Sequence, residues 1–196
     1  MGFIKYLLNW QGKIKVLSAV ICGLIIVIAL MSPQLAFASP EIVQKVWGDN
    51  SGKHTVIIDK RLDSKDGGES LLIKQITNNR EDWILRDYVI DCEEDIKLDV
   101  VADSIEINKA LSDDIGTVLF AYKIGCVGGI DPVTVKYFAF RNGVKYSLRG
   151  EEHIIVGNDG FGGEKAPVPD FNLRNDKTLL EYMMRKWTSI STTKIN

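Results

Sequence analysis

The chain has 196 residues, a length that suits one domain and leaves little room for two. It carries 24 lysines and arginines against 26 aspartates and glutamates, which gives a formal net charge of −2. A mildly acidic chain of this kind argues against nucleic acid or an anionic membrane surface as the main partner.

Residues 1–38 have the three-part order of a secretory signal peptide. Three lysines make a basic start, residues 16–30 form an apolar run, and residues 36–38 spell the Ala-Phe-Ala of a cleavage site. An uncleaved membrane anchor is the alternative, because residues 14–37 are nearly long enough to span a bilayer. The cleavage site favours removal, so we expect a periplasmic or secreted protein with no membrane span after cleavage. Loss of the three lysines takes the formal net charge from −2 to −5.

The mature chain, residues 39–196, mostly shows the period of β-strands. We predict strands at these ranges: 54–59, 70–77, 83–90, 96–101, 104–107, 117–126, 133–140 and 144–148. The range 117–126 is the most apolar, which predicts a central strand buried on both faces. The last two strands flank Asn142-Gly143, a hairpin signal because both central residues of a type I′ turn need positive φ.

The C-terminal third departs from this pattern. Residues 157–163 are too glycine-rich to hold a strand and are predicted to form a loop. Asn175 or Asp176 can cap a final helix that runs to about Trp187. Its apolar residues fall on one face at helical spacing: Leu180, Met183, Met184 and Trp187. The fold class is therefore mainly β (α+β), a single antiparallel β-rich domain with a C-terminal helix packed on the sheet.

Two cysteines remain after cleavage, Cys92 and Cys126. In an oxidising compartment an even pair in a modest domain is most simply a disulfide. Two free buried thiols and a redox pair are the alternatives, although the spacing is far from the C-x-x-C of a redox motif.

No motif for catalysis, a metal or a cofactor is predicted. His54 and His153 lack the spacing of a metal site or a serine hydrolase, and we expect both to be surface residues. Residues 63–69 resemble a calcium loop, but Lys65 stands where a carboxylate belongs. The carboxylates of residues 91–95 could form a glycosidase pair only at a suitable separation, and a solvated acidic turn is the simpler interpretation.

The segment Asp-Tyr-Val-Ile-Asp-Cys-Glu-Glu-Asp-Ile at 87–96 resembles a family of small exported bacterial proteins that carries the label surface polysaccharide biosynthesis. The resemblance covers about residues 83–187 and implies paired cysteines and a β-rich fold. Many members carry an aspartate-rich loop before the second cysteine strand. This chain has Lys109 and Leu111 at two of those ligand positions, so a calcium role does not carry over.

The leading functional hypothesis is a non-enzymatic binding protein of the cell envelope, whose partner is a protein or an envelope glycan. A specific version is an immunity or inhibitor protein against a toxin or hydrolase that acts in the periplasm, because acidic loops suit basic clefts. An accessory factor or enzyme of surface polysaccharide biosynthesis is the alternative that the resemblance implies. A purely structural envelope protein is the third.

Three loops are the candidate binding surface, at residues 91–95, 128–131 and 157–163. Their candidate partner-binding residues are Glu93, Glu94, Asp95, Asp131, Asn158, Asp159 and Phe161. The acidic residues would steer a partner, and an aromatic side chain flanked by glycines would anchor it. The alternative is that Phe161 packs back onto the domain.

We expect export to end with cleavage after Ala38, since the basic, apolar and small-residue segments occur in the order that signal peptidase requires. Intact-mass measurement of the mature protein should then give a chain that starts at Ser39. Recovery of the full-length chain from the inner membrane would contradict this and restore the anchor interpretation.

Overall fold

The described part of the chain is built from β-strands and two helices. The computed structural model describes residues 41–62, 67–112 and 114–195, so the predicted signal peptide at 1–38 lies outside the described residues. The strands are β1 (Glu41–Asp49), β2 (Gly52–Leu62), β3 (Glu69–Thr77), β4 (Arg80–Val89), β5 (Asp95–Asn108), β6 (Thr117–Val127), β7 (Thr134–Arg141), β8 (Val144–Glu151), β9 (His153–Val156), β10 (Asp159–Phe161), β11 (Val168–Pro169) and β12 (Thr192–Ile195). The helices are α1 (Phe171–Asn175) and α2 (Lys177–Ser191).

The strands form three sheets. One is a four-stranded antiparallel meander in the order β1-β2-β3-β4, and a second has the five-stranded order β11-β8-β7-β6-β5. A small third sheet has the order β10-β9-β12, in which β9 and β12 are parallel. The predicted fold class, a β-rich domain with a C-terminal helix and one disulfide, is confirmed.

The two larger sheets pack face to face around an apolar core. Alternate residues of β2 and β3 point inward, such as Ile58 and Ile73, because successive side chains of a strand face opposite sides. Aromatic rings fill the middle of this core. Trp83 of β4 stacks on Phe140 of β7 with ring centroids 3.8 Å apart, and Phe120 of β6 lies beside both. Rings from both sheets therefore meet in one cluster.

Strand β6 is buried on both faces, as its unbroken apolar run predicts. Phe120 faces the first sheet, whereas Leu119 faces the helical layer. The helical layer covers this second face with Leu179 and Met183 of α2. The domain consequently has three layers, two sheets and a helical layer, because a strand without a polar face needs cover on both sides.

The hairpin between β7 and β8 is confirmed in detail. Asn142 has φ of 51° and Gly143 has φ of 71°, and Arg141 pairs with Val144 across the turn. These are the positive φ values that a two-residue type I′ turn requires. The local Asn-Gly signal alone was sufficient to predict this turn.

Two predictions about strands are wrong. The ranges 96–101 and 104–107 belong to one strand, β5, whose register shifts between Val101 and Glu106. The hydroxyl of Ser104 accepts a hydrogen bond from the Ala121 amide at 2.7 Å, which stabilises the bulge. Residues 159–161, predicted to lie in a loop, form β10, because Gly157 in the two-residue turn after β9 has φ of 59° and allows a tight hairpin.

The helical prediction is correct in its N-cap and wrong in one contact residue. Asp176 caps α2 by accepting from the Leu179 amide at 3.0 Å. The helix continues to Ser191, beyond Trp187. Met184, predicted to face the sheet, is 41% exposed, whereas Leu179, Met183 and Ile190 carry the buried face. (Leu180 and Trp187 are half-buried beside it.)

A buried carboxylate ties the third sheet to the second. Glu152, fully buried between β8 and β9, pairs with Lys97 of β5 at 2.7 Å and with Lys123 of β6 at 2.9 Å. Thr193 of β12 also contacts the Glu152 carboxylate and Lys123. Burial opposes the ionisation of Glu152, but hydrogen bonds from Lys97, Thr193 and Lys123 outweigh it and hold the pKa of this carboxyl below its ordinary value of 4.5.

We predict that Glu152→Gln lowers the free energy of unfolding at pH 7 by about 3 kcal/mol, because Lys123 then stays buried without its counter-charge. Urea unfolding followed by circular dichroism measures this. Glu181→Gln on the exposed face of α2 is the matched control and should change stability by less than about 0.5 kcal/mol. Equal effects of the two variants would contradict the prediction.

The contribution of Glu152 to the free energy of unfolding changes with pH in a definite direction. The pKa of Glu152 is lowered on folding, so its contribution to stability is complete above the ordinary value of 4.5 and is lost as the pH falls through the folded-state pKa. The free energy of unfolding should therefore fall more steeply below pH 4.5 in the native protein than in Glu152→Gln. Parallel curves for the two proteins would contradict this.

Candidate functional site

The predicted disulfide joins the segment after β4 to the end of β6. The Cys92 and Cys126 sulfur atoms are 2.03 Å apart, and the two Cα atoms are separated by 5.6 Å. The pairing of Asp95 with Val127 begins the β5–β6 ladder directly beside this bond. The disulfide therefore holds two of the three predicted binding loops, 91–95 and 128–131, at one end of the domain.

These two loops present acidic and apolar side chains together. Glu93, Glu94 and Asp95 are exposed, and a Cβ at Gly128 would lie 3.6 Å from the Glu94 carboxylate, so the loops are neighbours. Exposed apolar residues lie in or beside the same loops, Ile90 and Ile130, each 50% exposed. We name six residues the disulfide-end surface: Ile90, Glu93, Glu94, Asp95, Ile130 and Asp131.

The third predicted loop only partly joins this surface. Phe161 is half-buried and pairs with Ile154 in the β9–β10 hairpin, so it is not freely presented. The following residue, Gly162, lies against the Pro132 ring, where a Cβ would approach within 2.5 Å. Asn158 and Asp159 are exposed at the opposite, turn end of the hairpin, beside the end of β12.

A polar cavity of about 420 Å³ lies at the other end of the two larger sheets. We name it the turn cavity, because the β1–β2, β5–β6 and β7–β8 connections and the adjoining ends of β3 and β4 surround it. Its lining residues are Asp49, Ser51, His54, Gln75, Thr77, Asp82, Ile115, Gly116, Asn142 and Gly143. The sequence prediction named none of them as site residues.

His54 is the centre of the hydrogen-bond network in this cavity. Its Nε2 atom lies 2.8 Å from Asp49 Oδ1, and its Nδ1 atom lies 2.6 Å from Thr77 Oγ1. The Trp47 ring stacks on the imidazole with centroids 4.8 Å apart. The prediction that His54 is a surface residue is wrong, since the residue is only 4% exposed. His153, the other histidine, is half-buried and bonds the Gly162 carbonyl oxygen.

Asp49 is held in its ionised form. Burial opposes ionisation, but hydrogen bonds from the Ser51 hydroxyl, His54, and the backbone amides of Ser51 and Gly116 outweigh it and keep the pKa of Asp49 well below its ordinary value. Gly116 cannot carry a side chain here, because a Cβ would lie 2.3 Å from the Trp47 indole nitrogen. The glycine thus brings its amide close to the carboxylate.

The arrangement differs from that of a Ser-His-Asp triad. In a triad the serine and the carboxylate bond opposite ring nitrogens of the histidine. Here Ser51 and Asp49 both approach Nε2, and the Ser51 hydroxyl donates to Asp49 at 2.6 Å. The opposite nitrogen bonds Thr77. The network therefore holds the carboxylate in place and does not activate the hydroxyl.

Comparisons with family models, with curated proteins and with solved structures give no match. Over residues 41–62, 67–112 and 114–195, no set of three histidine, cysteine, aspartate or glutamate side chains is grouped as a metal site would need. Across those same ranges, no helix combines the length and the apolar character needed to cross a membrane. The site must therefore be interpreted from its own geometry.

We predict that replacing both cysteines by alanine lowers the free energy of unfolding by roughly 3–4 kcal/mol, because the bond closes a loop of 34 residues in the unfolded chain. Denaturant unfolding measures the loss. Hydrogen exchange should also become faster at residues 91–95 and 128–131, while the exposed turn at Asn142 and Gly143, whose amides exchange by local opening, stays unchanged. Unaltered exchange in both loops would show that the disulfide does not order this surface.

Proposed function

We propose that this protein is an exported, non-enzymatic binding protein that inhibits or neutralises a protein with a basic surface in the cell envelope. The observation that carries the proposal is the disulfide-end surface, where exposed isoleucines stand beside exposed carboxylates on two covalently joined loops. Exposed apolar residues bordered by polar ones are typical of protein-binding surfaces.

The charge of the surface supports a basic partner. Glu93, Glu94, Asp95 and Asp131 are exposed and belong to no ion pair within the described ranges. Their negative field would speed the approach of a cationic partner, as complementary charges do at other interfaces. The mature net charge of −5 has the same sign.

The construction of the surface suits tight inhibition. Ile90 and Ile130 supply the apolar contact area, and Phe161 remains the predicted aromatic anchor at the edge near Pro132. Loops held by a disulfide lose less conformational entropy on binding than free loops, so more of the contact energy appears as affinity. Such a preorganised, charged surface suits an immunity or inhibitor protein.

The test begins with capture of a partner from periplasmic extract on the purified protein, followed by mass spectrometry. Association and dissociation rates are then measured for two variants, Ile130→Ala and Phe161→Ala. Each should weaken binding by at least about 1–2 kcal/mol, because a few large apolar and aromatic side chains carry most of the energy of an interface. Neutralising Glu93, Glu94 and Asp95 together should slow association and flatten its salt dependence.

Val144→Ala is the matched control, since Val144 is an exposed apolar residue on the hairpin at the other end of the domain. It should leave the partner's affinity unchanged. Equal losses for Val144→Ala and Ile130→Ala would contradict the proposed surface. If no partner is captured and deletion of the gene removes surface polysaccharide, the accessory-factor hypothesis replaces this proposal.

A further inference from the structure

Most of the hydrogen-bond donors that line the turn cavity already donate to its two carboxylates. The Ser51 hydroxyl and the Gly116 amide donate to Asp49 at 2.6 and 3.2 Å. The Thr77 hydroxyl and the Gln75 amide nitrogen donate to Oδ2 of Asp82, the latter at 2.8 Å. These donors consequently offer little to a molecule that enters the cavity.

A molecule that enters the cavity (a guest) would mainly find hydrogen-bond acceptors that are still free. Oδ1 of Asp82 takes part in none of these bonds, and Asp82 is exposed and in no ion pair with the residues that the structure describes. The amide of Asn142 lines the cavity from the opposite hairpin. The Asp49 carboxylate lies close by, fixed by the network and paired with His54.

The cavity lining contains two carboxylates, of which Asp49 is paired with His54 at 2.8 Å, and, among the described residues, no lysine or arginine. An anionic guest would be repelled by the charge of Asp82, whereas a cationic guest with N–H groups could donate to the free oxygen of that carboxylate. A volume of about 420 Å³ lies within the range of about 300–1,000 Å³ typical of small-molecule sites.

We infer that the turn cavity is a second binding site, and that it takes an organic cation carrying an ammonium or guanidinium group. The cationic group bonds the free oxygen of Asp82, whereas the Asp49 carboxylate beside it is already paired with His54. Such a group has two sources, a free small amine or the side chain of a lysine or arginine on another protein. This site is separate from the disulfide-end surface and does not depend on it.

The purified protein is titrated with three cations, n-butylammonium, methylguanidinium and Nα-acetyl-lysine methylamide, whose side-chain ammonium group is free. Neutral 1-butanol is the uncharged comparison. Binding is followed by NMR shifts of the Gly116, Asn142 and Gly143 amides. The cations should shift these amides and 1-butanol should not. Raising the salt concentration should weaken binding, because exposed charges are screened.

Asp82→Asn keeps the shape of the side chain and removes its charge. Cation affinity should become about fivefold to tenfold weaker, as expected for a charged hydrogen bond that solvent partly screens. Glu181→Gln on α2 is the control and should leave the affinity for the cations unchanged. Because Asp82 is exposed, the variant should fold, and the salt dependence of the unaltered protein tests the charge independently of any variant.

The relative affinities of the probes distinguish the two sources of the cation, a free small amine and a side chain of another protein. Tighter binding of acetyl-lysine methylamide than of n-butylammonium supports a protein side chain, and the reverse order supports a free amine. Equal shifts with 1-butanol, or no loss on Asp82→Asn together with no effect of salt, would overturn the inference. The disulfide-end variants should bind the cations normally, so failure here is distinguishable from failure of the proposed function.

Discussion

Residues 118–124 of β6 leave almost no polar side chain for solvent on either face, and this constraint organises the layers of the domain. One face is covered by the first sheet and the other by α2, so the strand can only exist in the middle layer. The neighbouring strand β7 lies in the same middle layer and is also buried on both faces. The two candidate sites lie at opposite ends of this sandwich, beyond the buried part of β6.

The exception within β6 is Lys123, whose ammonium group is buried on the helical side. A buried charge requires a partner, and Glu152 supplies it from the bend between β8 and β9. Thr193 of β12 contacts the same carboxylate, and β12 pairs in parallel with β9. The buried charge of Lys123 is thus compensated by groups from the β8–β9 bend and from β12.

Local signals explain which features could be predicted from the sequence. The Asn142-Gly143 turn, the Asp176 cap and the apolar β6 each depend on a few adjacent residues, and all three are as expected. The cysteine pair was predictable from composition and compartment. The break predicted inside β5 was wrong because the bulge is stabilised by a distant contact of Ser104 with Ala121, which no local pattern reveals.

The turn cavity could not be predicted for the same reason. Asp49 belongs to the β1–β2 hairpin, whereas Thr77 and Asp82 flank the β3–β4 turn, and the two hairpin ends meet because β1 to β4 form a meander in a fixed register. His54 looked like a surface residue because its neighbours in the sequence are polar. Its burial depends on the ring of Trp47 on the adjacent strand, which pairs with it directly.

The aromatic cluster between the sheets has an optical consequence. Trp83 belongs to the first sheet and Phe140 to the second, yet their ring centroids are only 3.8 Å apart and their planes are inclined by 12°. Chromophores held this closely in a chiral setting couple their electronic transitions, so the near-ultraviolet circular dichroism of the protein carries a contribution that exists only while the two sheets are docked. The far-ultraviolet circular dichroism of the strands does not require the two sheets to be docked. The molecule therefore contains its own spectroscopic reporter of sheet separation, in a position that no added label could occupy without disturbing the core.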